Sequence, residues 1–139
     1  MTQQIFDFSS SVPSSGSQSL NRSIPTSPST IKLAAFGLFV PDQSNNVKLD
    51  ATVGLEATAL TPTILFKVFR NTGVIFSTRI TVDADTGDFQ TVSFQAIDTN
   101  APTGFHSYSV TAELVPSIFL DSAQVVGPVT FSGFSIGQT

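Results

Sequence analysis

Gly133-Phe134-Ser135-Ile136-Gly137 has the G-x-S-x-G spacing of a hydrolase elbow, in which a strand turns sharply into a helix and exposes the serine. Only Gln138 and Thr139 follow it in this sequence, so no such helix is expected, and small residues interleaved with phenylalanine suit a β-strand. His106 is the single histidine; it precedes the serine and sits between Phe105 and Ser107 in a strand pattern, with no third group placed to orient it as a base. Asp83-Ala84-Asp85-Thr86-Gly87-Asp88 offers three carboxylates of the hard-oxygen kind that calcium prefers. Its glycine falls one place early for a calcium loop and Phe94 stands where the closing glutamate belongs, so a hairpin turn is the expectation for Asp83, Asp85 and Asp88. Asn21-Arg22-Ser23 is a formal glycosylation acceptor that carries no weight without a secretory signal. These residues point to no catalytic site, no metal and no cofactor; the chain reads as a protein that is not an enzyme.

Composition narrows the remaining classes. The 139 residues suit one domain, and at 40% hydrophobic with 13 phenylalanines they have a core to bury. Charged residues are 12% of the chain, about half the usual share, which separates it from disordered polyampholytes. A net charge of -4 works against phosphate-backbone binding, so no nucleic acid partner is expected. With no cysteine, disulfides, thiolate nucleophiles and Cys-ligated metals are excluded. No apolar run of membrane-spanning length and no basic-then-apolar leader occurs, so neither membrane insertion nor a signal peptide is expected.

From Ile31 onward the hydrophobic period is two. Val47, Leu49, Ala51, Val53, Leu55 and Ala57 alternate with Lys48, Asp50, Thr52, Gly54, Glu56 and Thr58, the pattern of a half-buried strand. The alternation recurs in Ile64-Phe66-Val68, Val74-Phe76-Ile80-Val82, Val92-Phe94-Ala96, Val110-Ala112-Leu114, and Val129-Phe131 with Phe134-Ile136. Turn formers such as Arg70-Asn71-Thr72-Gly73 and Gly127-Pro128 separate them. With no sustained 3.6 period, the expected fold is all-β: a jelly-roll (Greek-key) β-sandwich of about 7–9 strands over residues 31–139.

Two segments depart from that pattern. Residues 1–30 hold ten serines, three prolines and two charges, Asp7 and Arg22, and read as a flexible N-terminal connector. At its far end Ile5, Phe6 and Phe8 form an apolar patch, either a docking peptide or a frayed terminus. The second segment, Ile31 to Val40, is apolar on both faces. Leu33, Phe36, Leu38, Phe39 and Val40 therefore read as a subunit contact or as a strand covered by its own chain. An extended peptide joining a neighbour's sheet edge makes a head-to-tail contact, whose product is a ring or a helical fibre.

Val92-Ser93-Phe94-Gln95-Ala96-Ile97-Asp98, Phe66-Lys67-Val68-Phe69-Arg70 with Val74-Ile75-Phe76, and Val126-Gly127-Pro128-Val129-Thr130-Phe131-Ser132-Gly133 resemble exosporium protein C and related surface proteins of Bacillus spores. The layout over roughly residues 20 to 139 is also similar to the small jelly-roll subunits of endospore appendages. The resemblance implies a structural, self-assembling subunit of a spore-surface fibre, polymerising non-covalently through its connector. Its partners would be copies of itself as a homopolymer, with exosporium anchor and tip proteins. Its place would be the spore surface, reached after mother-cell lysis. Appendage subunits of this kind use cysteine in their connectors, and this chain has none. The competing expectation is a closed, trimeric exosporium coat or tip module.

Overall fold

The computed structural model describes all residues except 1, 2, 43, 85–88, 100 and 139. Among the described residues nine strands follow one another: β1 (Gln3–Ser14), β2 (Arg22–Ser23), β3 (Ile31–Val40), β4 (Ser44–Ala59), β5 (Thr63–Arg70), β6 (Gly73–Thr81), β7 (Phe89–Asp98), β8 (Gly104–Leu114) and β9 (Ser122–Gln138). One sheet has the order β1-β9-β4-β7, with β2 also on β9; the other has β3-β8-β5-β6. β1 and β2 run in the same direction along β9, Gln3 opposite Gln138, Ser14 opposite Val129 and Arg22 opposite Val125, so together they form one interrupted edge strand. From β3 on, successive strands alternate between sheets except β5 and β6, which pair within one sheet as a hairpin through Asn71. This is the jelly-roll β-sandwich the alternation predicts.

The core follows from the period-two pattern. Val47, Leu49, Ala51, Val53, Leu55 and Ala57 of β4 are all buried, as are Ile64, Phe66 and Val68 of β5 and Tyr108, Val110, Ala112 and Leu114 of β8. Each fully buried branched or aromatic side chain contributes roughly 1.5–3 kcal/mol relative to exposure. Phe36 packs between Tyr108 and Phe131 at ring-centroid distances of 6.0 and 4.8 Å, joining the two sheets. A Cβ on Gly54 would collide with the Gly127 carbonyl, which explains why the outward face of β4 carries no side chain where β9 bends across it.

Three expectations are corrected. Residues 1–30 are not a free connector, because Gln3–Ser14 lies on β9. Beyond it, Leu20 and Ile24 donate to Val126 and Ala123, and Ser27 donates to Leu114. Backbone pairing to a long neighbouring strand orders a serine-rich segment that has too little apolar surface to fold alone. Ser15–Ser19 forms the turn between these anchors, closed by the Ser14 and Ser19 hydroxyls on the Gly16 carbonyl and lying close to Gly127. The second correction concerns β3, which is covered by its own chain. A register shift between Lys32 and Ala34 changes the phase, so Leu33, Phe36, Leu38 and Val40 are all buried and Phe39 points outward. Third, in β9 it is Gly133 and Ser135 that face inward beside Phe131, while Phe134 lies outward opposite Phe8. The Asp85–Asp88 part of the calcium question lies outside the described residues.

Candidate functional site at the sheet edges

The four sheet edges are β1 and β7 in one sheet and β3 and β6 in the other. Such strands present unpaired N–H and C=O groups, and proteins usually blunt them with charges, bulges, proline or covering side chains. On the β1/β3 side the blunting is thorough. Asp7 and Ser135 are register partners on β1 and β9. The Asp7 carboxylate accepts the Phe39 N–H at 2.8 Å, and the Ser135 hydroxyl donates to the Phe39 carbonyl at 2.9 Å. Arg22 donates to the Lys32 carbonyl at 3.1 Å. Together these side chains stand in for a neighbouring strand along β3, and β1 itself carries Pro13 and two register irregularities.

The β6/β7 side differs. Between these strands lies a cleft of about 140 Å³ lined by Phe66, Thr78, Arg79, Ile80, Val92, Ser93 and Phe94. Phe94 stacks on Phe76 at 6.0 Å and tilts against Phe66 at 5.3 Å, forming its floor. β7 pairs with β4 from Glu56↔Phe89 to Val47↔Asp98 without a bulge. It has no proline, and no charged residue between Phe89 and Ile97.

Exposed apolar side chains mark further surfaces. On β1, Ile5, Phe8 and Val12 are 59%, 62% and 54% exposed, whereas Phe6 is half-buried. Phe39 and Phe105, opposite each other on β3 and β8, are also exposed. The β8–β9 loop carries Ile118, Phe119 and Leu120 at 93%, 64% and 90% exposure, near exposed Leu60. The predicted docking set is therefore divided. Ile5, Phe8 and Phe39 reach solvent, while Leu33, Phe36, Leu38 and Val40 belong to the core and offer no docking surface in this fold. The loop triplet escapes the sequence reading because it lies outside any period-two run; three consecutive apolar residues between Pro116 and Asp121 are the signal that finds it.

The residues with chemical potential brace the sandwich. The Ser135 side chain is fully buried and spends its hydroxyl on Phe39. His106 joins two loops: Nε2 donates to the Pro102 carbonyl at 2.7 Å, which leaves Nδ1 to accept from the Asn71 side chain at 3.1 Å. Asn71, at φ 55°, also accepts the Ser107 N–H at 3.0 Å. Asp98 is buried and accepts from Arg70 Nη1 at 2.8 Å on each oxygen and from the Tyr108 hydroxyl at 2.8 Å. Burial first, then the hydrogen bond to Asp98, push the Tyr108 phenol above its ordinary value of 10.0. Lys67 pairs with buried Glu113 at 3.1 Å on the outer face of β5 and β8. Among the described residues no three His, Cys, Asp or Glu side chains gather as a metal site, and no helix is long and apolar enough to cross a membrane.

No protein-family model matches the chain, and no curated protein matches it in sequence. Among solved structures it is similar to the VP2 subviral particle of infectious bursal disease virus, with TM-score 0.56 and 11% identity over 99% of this chain. The T=1 particle derived from the same virus gives TM-score 0.53 and 10% identity over 96% of this chain. Latent PorU from Porphyromonas gingivalis gives TM-score 0.49 and 10% identity over 96% of this chain. The chain spans 38%, 37% and 13% of those proteins respectively. At these identities the VP2 likeness defines the fold class, a jelly-roll sandwich of the kind found in viral capsid proteins.

Proposed function

We propose that this chain is a self-assembling structural subunit of a spore-surface fibre, in which β1 of one copy takes its place on β9 of the next. The observation that carries this reading is the character of β1. It is an edge strand with solvent-facing Ile5, Phe8 and Val12, attached to the sandwich through the short polar segment Ser15–Ser19. Exchange preserves the hydrogen bonds to β9, so the closed and exchanged forms differ chiefly in effective concentration and in new contacts. A short link holds β1 over its own β9 at an effective concentration in the millimolar range or above. Shifting assembly to micromolar protein needs about 4 kcal/mol from new contacts. Burying the exposed parts of three branched or aromatic side chains supplies roughly 2–4 kcal/mol, and each subunit added to a fibre forms one such contact, so the upper end of that range is what assembly requires. Because donor and acceptor surfaces differ, the contact is head-to-tail and extends into a fibre or closes as a ring.

Negative-stain electron microscopy of the full chain beside an Ile5→Ser/Phe8→Ser variant tests this. Both positions are exposed, so the variant keeps its fold; fibres in the parent that vanish in the variant support the reading, and monomers in both contradict it. A second reading, a closed coat or tip module, is favoured by the pairing of residues 3–30 with their own chain. It predicts discrete particles that survive the same substitutions.

A further inference from the structure

Among the described residues the four edges are unequally protected: β6 carries the charge of Arg79, whereas β7 from Phe89 to Ile97 carries no charge, proline or bulge and is self-complementary. β7 is a ten-residue strand without bulge or proline, and its Phe89–Ile97 stretch is uncharged. Its solvent face is Phe89, Thr91, Ser93, Gln95 and Ile97, and its inward face toward the cleft is Val92, Phe94 and Ala96. In an antiparallel pair, directly opposite residues share a face, so a β7–β7 pair must centre on a residue rather than between two. Centred on Ser93, it places Phe89 opposite Ile97 at both ends, Thr91 opposite Gln95, and Val92 opposite Phe94. The half-exposed apolar side chains, at 49% and 50%, meet each other and polar side chains meet polar ones. A shift of two residues sets Phe89 against Gln95 and carries Ile97 past the end of the strand, so Ser93 is the favoured centre.

We propose that the chain forms a two-fold dimer in which β7 pairs antiparallel with β7 of a second copy about Ser93. The occupant of this edge is a second copy because the strand's own pattern matches it. The two sheets become one, in the order β1-β9-β4-β7 continued by its mate in reverse. Val92 and Phe94 of the mate then border the cleft against Phe66 and Ile80. An isologous contact of this kind closes at two subunits and does not depend on β1, so it stands whether or not the fibre reading holds.

The chain has no cysteine, which makes the test direct. Ser93 is exposed, and its hydroxyl shares only a 3.1 Å contact with Thr52, so Ser93→Cys retains the fold. Across the two-fold axis the paired Cα atoms lie about 4.5–5.5 Å apart, within disulfide reach. Under mild oxidation of the full-length chain, Ser93→Cys should give a species of twice the 14.7 kDa mass on a non-reducing denaturing gel. It should form about ten-fold or more faster than from Ser77→Cys on the β6 edge, since prepositioned thiols meet at high effective concentration. Ser93→Lys sets two cations across the axis and should sediment as a monomer, while an equimolar mixture with Ser93→Glu should restore the dimer. Equal crosslinking of Ser93→Cys and Ser77→Cys, or a Ser93→Lys chain that remains dimeric, overturns the proposal. Neither outcome bears on fibres, which Ile5→Ser/Phe8→Ser tests separately.

Discussion

Raising the pH should destabilise this protein through one phenol. Tyr108 is fully buried, donates to Asp98 at 2.8 Å, and is held above its ordinary 10.0. Below that ordinary value the folded and unfolded chains both keep the proton, and Tyr108 adds no pH dependence. Above it the unfolded phenol ionises while the folded one does not, so the unfolded state binds fewer protons and stability falls by about 1.4 kcal/mol per pH unit. The fall continues until the folded phenol itself ionises. At neutral pH the hydrogen bond to a carboxylate contributes about 1–2 kcal/mol relative to Tyr108→Phe. The two chains should therefore become equally stable about one pH unit above 10.0, with the phenylalanine variant ahead beyond that. Urea unfolding at stepped pH measures the difference. Because the chain has one tyrosine and no tryptophan, the tyrosinate absorbance band reports the ionisation directly. A tyrosinate band that rises near the ordinary value while circular dichroism stays native would refute the reasoning, as would a parent-minus-variant difference independent of pH.

Other perturbations follow from the same contacts. Asp98→Ala leaves Arg70 and the Tyr108 hydroxyl without their acceptor, and should cost about 3 kcal/mol, the low end for a broken buried pair because Arg70 is partly exposed. Its melting temperature should fall by roughly ten degrees. Asp7→Ala and Ser135→Ala each uncover one backbone group of Phe39 and should cost about 1–2 kcal/mol apiece in urea titrations. The double variant should be non-additive by about 0.5 kcal/mol or more, since both act on one peptide edge; strict additivity would count against a shared clamp.

What the sequence makes legible depends on where side chains alone decide the structure. The β4 alternation from Val47 to Ala57 reads directly because the strand is central and one face is buried. The edge strand β1–β2 does not, since its order comes from backbone pairing to β9, which leaves no periodic mark on Ser9–Ser11 or Asn21–Ser23. Ile31–Val40 looks apolar on both faces because a bulge after Lys32 switches phase within the strand, and no residue there announces it. Ser135 is legible as a serine in an elbow-like pattern but not as a sheet-to-sheet strut, because its acceptor on Phe39 is 96 positions away. Of the predicted docking residues, Ile5, Phe8 and Phe39 are surface, Phe6 is half-buried, and Leu33, Phe36, Leu38 and Val40 are core, a division that only the register reveals. The β7 edge was legible as a strand, but its exposure required the strand order, which alternation does not encode.

The central claim, exchange of β1 between copies, is tested most directly at the Ser10↔Ser132 register pair, which leaves Ile5, Phe8 and Val12 in place. Two single-cysteine chains, Ser10→Cys and a size-tagged Ser132→Cys, are mixed under assembly conditions and oxidised. Exchange predicts a mixed disulfide between the two chains, because β1 of one lies on β9 of the other. If the mixture yields no such species while the Ser10→Cys/Ser132→Cys double variant closes its own intrachain bridge, β1 stays on its own sandwich and the claim is contradicted.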